Sequence, residues 1–136
     1  MRVKLTKKER DFVDSLRVAR LATVGAKGQT HNVPICPLLD RERIYVGSET
    51  GARKVRNLEA NPRVAIVFDE YTEAWAYLRG IMIQGEARVV KPSEFRRLRK
   101  KMYAKYLRYE SMAPLGARDS VILEITPRRK FSWGLG

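Results

Sequence analysis

Few side chains in this sequence could carry a reaction by themselves. His31 is its only histidine and Cys36 its only cysteine. A Ser-His-Asp arrangement would have to use His31 as its base, and no G-x-S-x-G turn accompanies it. A single thiol excludes an intrachain disulfide and any metal site built on several thiolates, so no metal is expected. Binding chemistry is better represented. Within Tyr45–Pro62, YVGSETGARKVRNLEANP, a strand delivers Gly47 and Ser48 to a loop, and the loop runs into a helix start carrying Arg53, Lys54 and Arg56. Backbone N–H groups at a helix N-terminus are unpaired and, with the helix dipole, favour an anion. Adjacent basic side chains add charge-assisted hydrogen bonds to phosphate oxygens. A glycine at position 47 would let a planar ring approach the backbone. Helices also begin with basic residues for solubility alone, so the surrounding elements must decide between the two readings.

Those elements read as a meander. Thr6-Lys7-Lys8-Glu9 has the form of a capping box, followed by Phe12, Val13 and Leu16 on one face of a helix ending near Arg17. Val18–Val24 and Gln29–Cys36 read as two strands around the turn Gly25-Ala26-Lys27-Gly28, the second being an edge strand or bulged near Pro34. Ile44-Tyr45-Val46 is a third strand, and Ala52–Ala60 is the short helix, stopped by Asn61-Pro62. Arg63–Phe68 reads as a strand buried on both faces. Asp69–Arg79 fits either a loop with a helical turn or the arm of a long hairpin. Ile81–Val90 is a strand with a bulge at Gly85. Ser93 is the expected N-cap of the longest helix, whose stripe is Phe95, Leu98, Met102, Tyr106 and Tyr109. Its other face is basic, from Arg96 to Arg108, and reads as solvated surface or a polyanion contact. Ser120–Thr126 is a last strand and Arg128–Gly136 a basic, aromatic tail. About six antiparallel strands close most easily into a small barrel.

The 136 residues fit one domain, 1–136, and 44% hydrophobic content makes it globular. No apolar run approaches a membrane span, and the charged start lacks a secretory h-region, so a cytoplasmic location is expected. The net charge of +13 attracts polyanions, or reflects the charge-rich, Asn- and Gln-poor composition seen in proteins from hot environments. No nucleic-acid motif accompanies the charge, so nucleic acid is not the expected partner.

Three stretches taken in order carry a resemblance: ARLATVGAKGQTHNVP (Ala19–Pro34), IYVGSETGARKVRNLEANPRVAIVF (Ile44–Phe68) and MIQGEARVV (Met82–Val90). A hairpin, an R-K-x-x-x-L-x-x-N-P helix, an apolar strand and an x-x-G-x-A strand in this order resemble the pyridoxamine 5'-phosphate oxidase-like, FMN-binding split-barrel family. Asp69-Glu70-Tyr71 followed by Trp75, with Ser132-Trp133-Gly134, is similar to a subgroup that uses a reduced deazaflavin coenzyme.

The resemblance implies a mainly β fold with flanking α, a six-stranded antiparallel split β-barrel of Greek-key type, working as a homodimer with cofactor sites at the subunit interface. It implies FMN as cofactor, a deazaflavin coenzyme being the alternative, and an oxidoreductase acting on a small molecule. Arg53 and Lys54 match the family's phosphate-binding pair, and Gly47 and Ser48 the strand end beside the flavin. Asn32, Val33 and Pro34 match the strand whose backbone lines the ring. Gly80, with Arg79, stands where the oxidases carry a flavin-bonding glutamine. Trp133 would reach the ring from the C-terminal tail, of its own or of the other subunit. The missing glutamine and the missing C-terminal substrate-binding arginine motif argue against vitamin B6 oxidation. His31 would touch the ring or substrate, or be a plain strand histidine; Tyr71 and Trp75 would wall a substrate pocket or plug the barrel end. Cys36 is expected as a buried thiol. No residue is assigned a catalytic role, because the ring carries the redox chemistry and the protein supplies position and electrostatics. A non-enzymatic flavin-binding or nucleic-acid-binding protein is the remaining alternative.

Overall fold

The computed structural model describes residues 2–136. Its first helix, α1 (Lys7–Ser15), starts on the expected capping box: Glu9 N–H donates to Thr6 Oγ1 at 3.1 Å and Thr6 N–H to Glu9 Oε1 at 2.8 Å. Phe12 and Val13 turn inward from it. The strands that follow are β1 (Ala19–Val24), β2 (Thr30–Ile35), β3 (Leu38–Asp40), β4 (Arg43–Glu49), β5 (Arg63–Glu70), β6 (Arg79–Val89) and β7 (Ser120–Trp133). They form one antiparallel sheet in the order β2-β1-β5-β6-β7-β4-β3, a curled split barrel. The helices α2 (Arg53–Ala60), α3 (Pro92–Lys105) and α4 (Tyr109–Met112) flank it. Among the described residues no helix is long and apolar enough to cross a membrane.

Several local expectations are met and several are corrected. β2 is an edge strand, as its prolines require. It is not bulged at Pro34: the ladder runs unbroken from Ala19 opposite Ile35 to Val24 opposite Thr30. The register does shift between Gln84 and Gly85, where a Cβ on Gly85 would strike the Thr126 carbonyl. Pro37 ends β2, and the three residues of β3 add a seventh strand to the six long ones. β5 is buried on one face rather than two: Val64, Ile66 and Phe68 are buried, Ala65 and Val67 only half-buried. Asp69–Arg79 combines both alternatives, with β5 continuing to Glu70 and a 3-10 turn at Trp75–Tyr77 forming the hairpin tip. Ser93 does not cap α3. Pro92 occupies the first turn, its fixed φ already helical, and Lys91 precedes it without a side-chain cap. The basic tail is strand rather than irregular chain. Residues 123–133 of β7 pair with β6, ending with Trp133 opposite Gly80.

The core lies inside the curl. Leu21, Ile44, Ile66, Phe68, Ile81, Ile83, Leu123 and Ile125 are almost wholly enclosed, each contributing roughly 1.5–3 kcal/mol by burial. A second cluster, including Tyr45, Leu98, Met102, Leu115 and Ile122, sits under α3. The basic face of α3 is partly committed to the fold. Arg97 and Lys101 bind Asp40 at 2.9 and 2.6 Å, Arg99 donates to the Leu115 carbonyl and Lys105 to the Pro37 carbonyl. Burial pushes the Asp40 carboxyl up, and the two cations outweigh it and hold the group below the ordinary aspartate range.

Candidate functional site

The helix α2 sits where β4 ends and the chain crosses to β5. Val55 and Asn57 are its buried residues, and α2 packs on β1. Consecutive helical residues diverge by about 100° while i and i+3 lie on one side. Anchoring Val55 inward therefore sends Lys54 to one flank and Arg53 with Arg56 to the other. The structure shows this division: the adjacent pair Arg53 and Lys54 opens onto two different clefts.

The Lys54 cleft, of about 530 Å³, is lined by Gly47, Ser48, Ala52, Asp119 and Ser120, with Tyr109 and Leu115 as its far wall. Ser48 is buried and donates to the Glu49 carbonyl at 3.0 Å. Burial pulls the Lys54 ammonium below its ordinary value, and the Glu49 carboxylate opposes this only in part. Glu49 and Asp119 also line the cleft, but neither forms an ion pair with the Lys54 ammonium, which stays available to an anionic ligand. The face of Gly47 is covered: a Cβ there would lie 2.6 Å from Tyr109 Oη and 2.9 Å from Leu115. Burial raises the Tyr109 hydroxyl above its ordinary value. The sequence reading missed both covering residues, which arrive from the α3–β7 connection far along the chain.

The second cleft, of about 570 Å³, lies between α2 and the β1–β2 turn and holds Arg53, Arg56, Lys27, His31 and Asn57. His31 points inward from β2 opposite Thr23, and its Nδ1 is sealed without a hydrogen-bond partner. Asn57, 3% exposed, donates to Thr23 Oγ1 at 2.9 Å. Arg56, read from the sequence with Arg53 and Lys54 as one basic helix start, falls in this cleft with Arg53, and Asn57 joins it without a sequence signal.

A third, apolar cleft of about 600 Å³ contains Cys36, Tyr106, Leu107 and Met112, with Arg17 at its rim, and shares Tyr109 and Ala113 with the Lys54 cleft. Cys36 is exposed there, contrary to expectation, because the chain turns outward at Cys36 between the inward-facing Ile35 and Pro37.

The remaining predicted residues are spread along one face and one edge of the sheet. Asn32 and Pro34 point outward from β2, while Val33 packs against the core. Arg79 pairs with Glu70 at 3.0 Å and its guanidinium lies 5.0 Å from the Phe12 ring centre. The Trp133 indole rests on Gly80 of its own chain. Tyr71 and Trp75 do not plug the barrel end: they are 63% and 70% exposed at the hairpin tip, joined by a 3.3 Å bond from Trp75 Nε1 to Tyr71 Oη. Among the described residues no three His, Cys, Asp or Glu side chains converge on a metal position.

With this geometry in place, a family model described as "Pyridoxamine 5'-phosphate oxidase" matches residues 5–134. A 5a,11a-dehydrotetracycline/5a,11a-dehydrooxytetracycline reductase of Streptomyces rimosus is 33% identical over 96% of this chain and 83% of its own length. Among solved structures, the conserved hypothetical protein Rv2991 of Mycobacterium tuberculosis superposes with a TM-score of 0.82 at 25% identity, over 98% of this chain and 87% of that one. An FAD-binding protein of Mesorhizobium loti superposes with a TM-score of 0.75 at 20% identity, over 94% and 93%.

Proposed function

The chain belongs to the pyridoxamine 5'-phosphate oxidase family, and on that premise we propose that it is a flavin-nucleotide-dependent oxidoreductase that binds FMN at the interface of a homodimer and reduces a small organic molecule. The observation that carries this reading is the Lys54 cleft: a partly desolvated cation, a buried serine hydroxyl and the first turn of α2 meet at one strand end. That donor set fits a terminal phosphate, whose charge would offset the desolvation of the Lys54 ammonium. Lys54, Ser48 and the α2 N-terminus would hold the phosphate, with Arg53 reaching from the rim. The flavin, when bound, supplies the two-electron chemistry. The chain's own contribution is to orient the cofactor and to keep water away with Tyr109, Leu115 and the apolar cleft beyond them. The S. rimosus relative, a reductase of a polycyclic compound by name, supports reduction as the reaction class.

One lateral row of the outer sheet face supports the homodimer. Pro34, Arg20, Val67, Met82 and Phe131 lie opposite one another across five strands. Phe131 is 64% exposed and Val67 and Met82 are half-buried, so a second copy would cover apolar surface.

A visible spectrum of the purified protein before and after adding FMN, paired with a deazaflavin titration, tests the function. Saturable flavin uptake is expected; a protein that takes up neither ligand overturns the reading. The basic surface favours the deazaflavin coenzyme as the second reading, since that molecule carries an acidic tail; a tenfold or greater preference for FMN ends it.

A further inference from the structure

We infer that the cleft between α2 and the β1–β2 turn is a second oxyanion site, which takes a multiply charged phosphate or carboxylate group separately from the Lys54 cleft. Three cations from two elements converge there, Lys27 from the turn and Arg53 and Arg56 from α2, and no carboxylate is among the lining residues. Among the described residues none of the three is in an ion pair, whereas Arg20, Arg43, Arg79, Arg88, Arg97 and Arg128 all are. Convergent, uncompensated cations repel one another, and their charge focuses on whatever fills the space between them.

The cleft is also built rather than merely charged. Hydrogen bonds from Gly25 N–H to the Gln29 carbonyl at 2.8 Å and from Gly28 N–H to the Gly25 carbonyl at 2.9 Å fix its outer wall. The nearly buried Asn57 carboxamide closes the floor, tied to Thr23. His31 lines the cleft from β2, so its imidazole senses what fills the space between the cations. Arg56 and Lys27 lie outside the Lys54 cleft, so the inference does not need the flavin reading.

The bound group could be the second anionic part of a dinucleotide-sized cofactor or belong to a separate phosphorylated molecule. Because His31 is the chain's sole histidine, its imidazole NMR signals report on this cleft alone. Titration with inorganic pyrophosphate should move them saturably. A Lys27→Gln/Arg56→Gln double variant should weaken the midpoint by about tenfold or more, from the loss of two charged contacts, while Lys54→Gln should leave it within about twofold. Should the double variant fold poorly, Lys27→Gln alone, on the exposed turn, carries the same test. The inference is overturned by signals that do not move, by an unchanged midpoint in the double variant, or by an equal loss in Lys54→Gln. FAD moving His31 where FMN does not supports the dinucleotide source. Pyrophosphate binding that persists with FMN bound supports a separate molecule. FMN itself moving His31 and blocking pyrophosphate merges the two clefts and removes the second site.

Discussion

The indole of Trp133 lies on Gly80 so closely that a Cβ at residue 80 would stand 2.7 Å from Trp133 Cε2 and 2.8 Å from the Phe68 carbonyl oxygen. The two residues face each other across the β6–β7 ladder, and the ring also lies 5.9 Å from that of Phe131. The position where the resemblance places a flavin-bonding glutamine is therefore filled here by a tryptophan of the same chain.

Gly80→Gln should not restore a flavin contact. It should expel the indole and cost about 1–3 kcal/mol, as overpacking does. In a Trp75→Phe background, where Trp133 is the only tryptophan, its emission should shift to the red and the melting temperature should fall. Wild-type stability with an unshifted spectrum would show that the contact is dispensable.

The division of Arg53 and Lys54 between two clefts predicts unequal roles. Lys54→Ala should weaken FMN binding by about 1.5–3 kcal/mol, the range for a charged hydrogen bond. Arg53→Ala, removing a rim cation, should cost less than half of that. Flavin fluorescence titration of both variants decides; equal losses would return the two residues to one site.

Glu9 anchors α1 to β7 through Lys130 at 2.6 Å. Burial pushes the Glu9 carboxyl up, but the Lys130 ammonium, the Thr6 N–H and Ser132 outweigh it and hold the pKa below the ordinary glutamate value. A depressed folded-state pKa gives stability that is complete above the unfolded value, about 4.3, and lost as pH falls through the folded one. Lys130→Met should cost about 1.5–3 kcal/mol near neutrality, and its deficit should shrink below about pH 4. Melting curves between neutral pH and pH 3 check the sign; a deficit independent of pH would separate the pair from acid stability.

Met82→Asp places a carboxylate in the outward row between Val67 and Phe131. If two copies meet there, light scattering should show a monomer where the parent is a dimer, with far-UV circular dichroism unchanged. A dimer that survives the substitution would move the contact elsewhere.

Local chemistry made much of the fold legible. The Thr6–Glu9 box, the Asn61-Pro62 stop and the Gly85 bulge each depend on a few neighbouring residues. The strand character of residues 128–133 is masked because three consecutive basic residues give no inward-outward pattern and only pairing with β6 reveals the strand. Cys36 was misjudged because its exposure depends on the turn at Pro37, and the cover over Gly47 because Tyr109 and Leu115 come from a distant connection. The split of Arg53 from Lys54 needed only the angular step of a helix once Val55 was known to face inward, and that orientation is set by the sheet beneath.

Strand β7 pairs with β4 over residues 120–125 and with β6 over 123–133. It is the last element in chain order, yet it joins the two halves of the sheet. During synthesis, the ladder β2-β1-β5-β6 and the short β3-β4 pair must each wait with one open flank until residues 120–133 leave the ribosome. Such a late keystone slows closure of the barrel, and a chain cut between Val89 and Ser120 would hold two unjoined ladders rather than a smaller barrel.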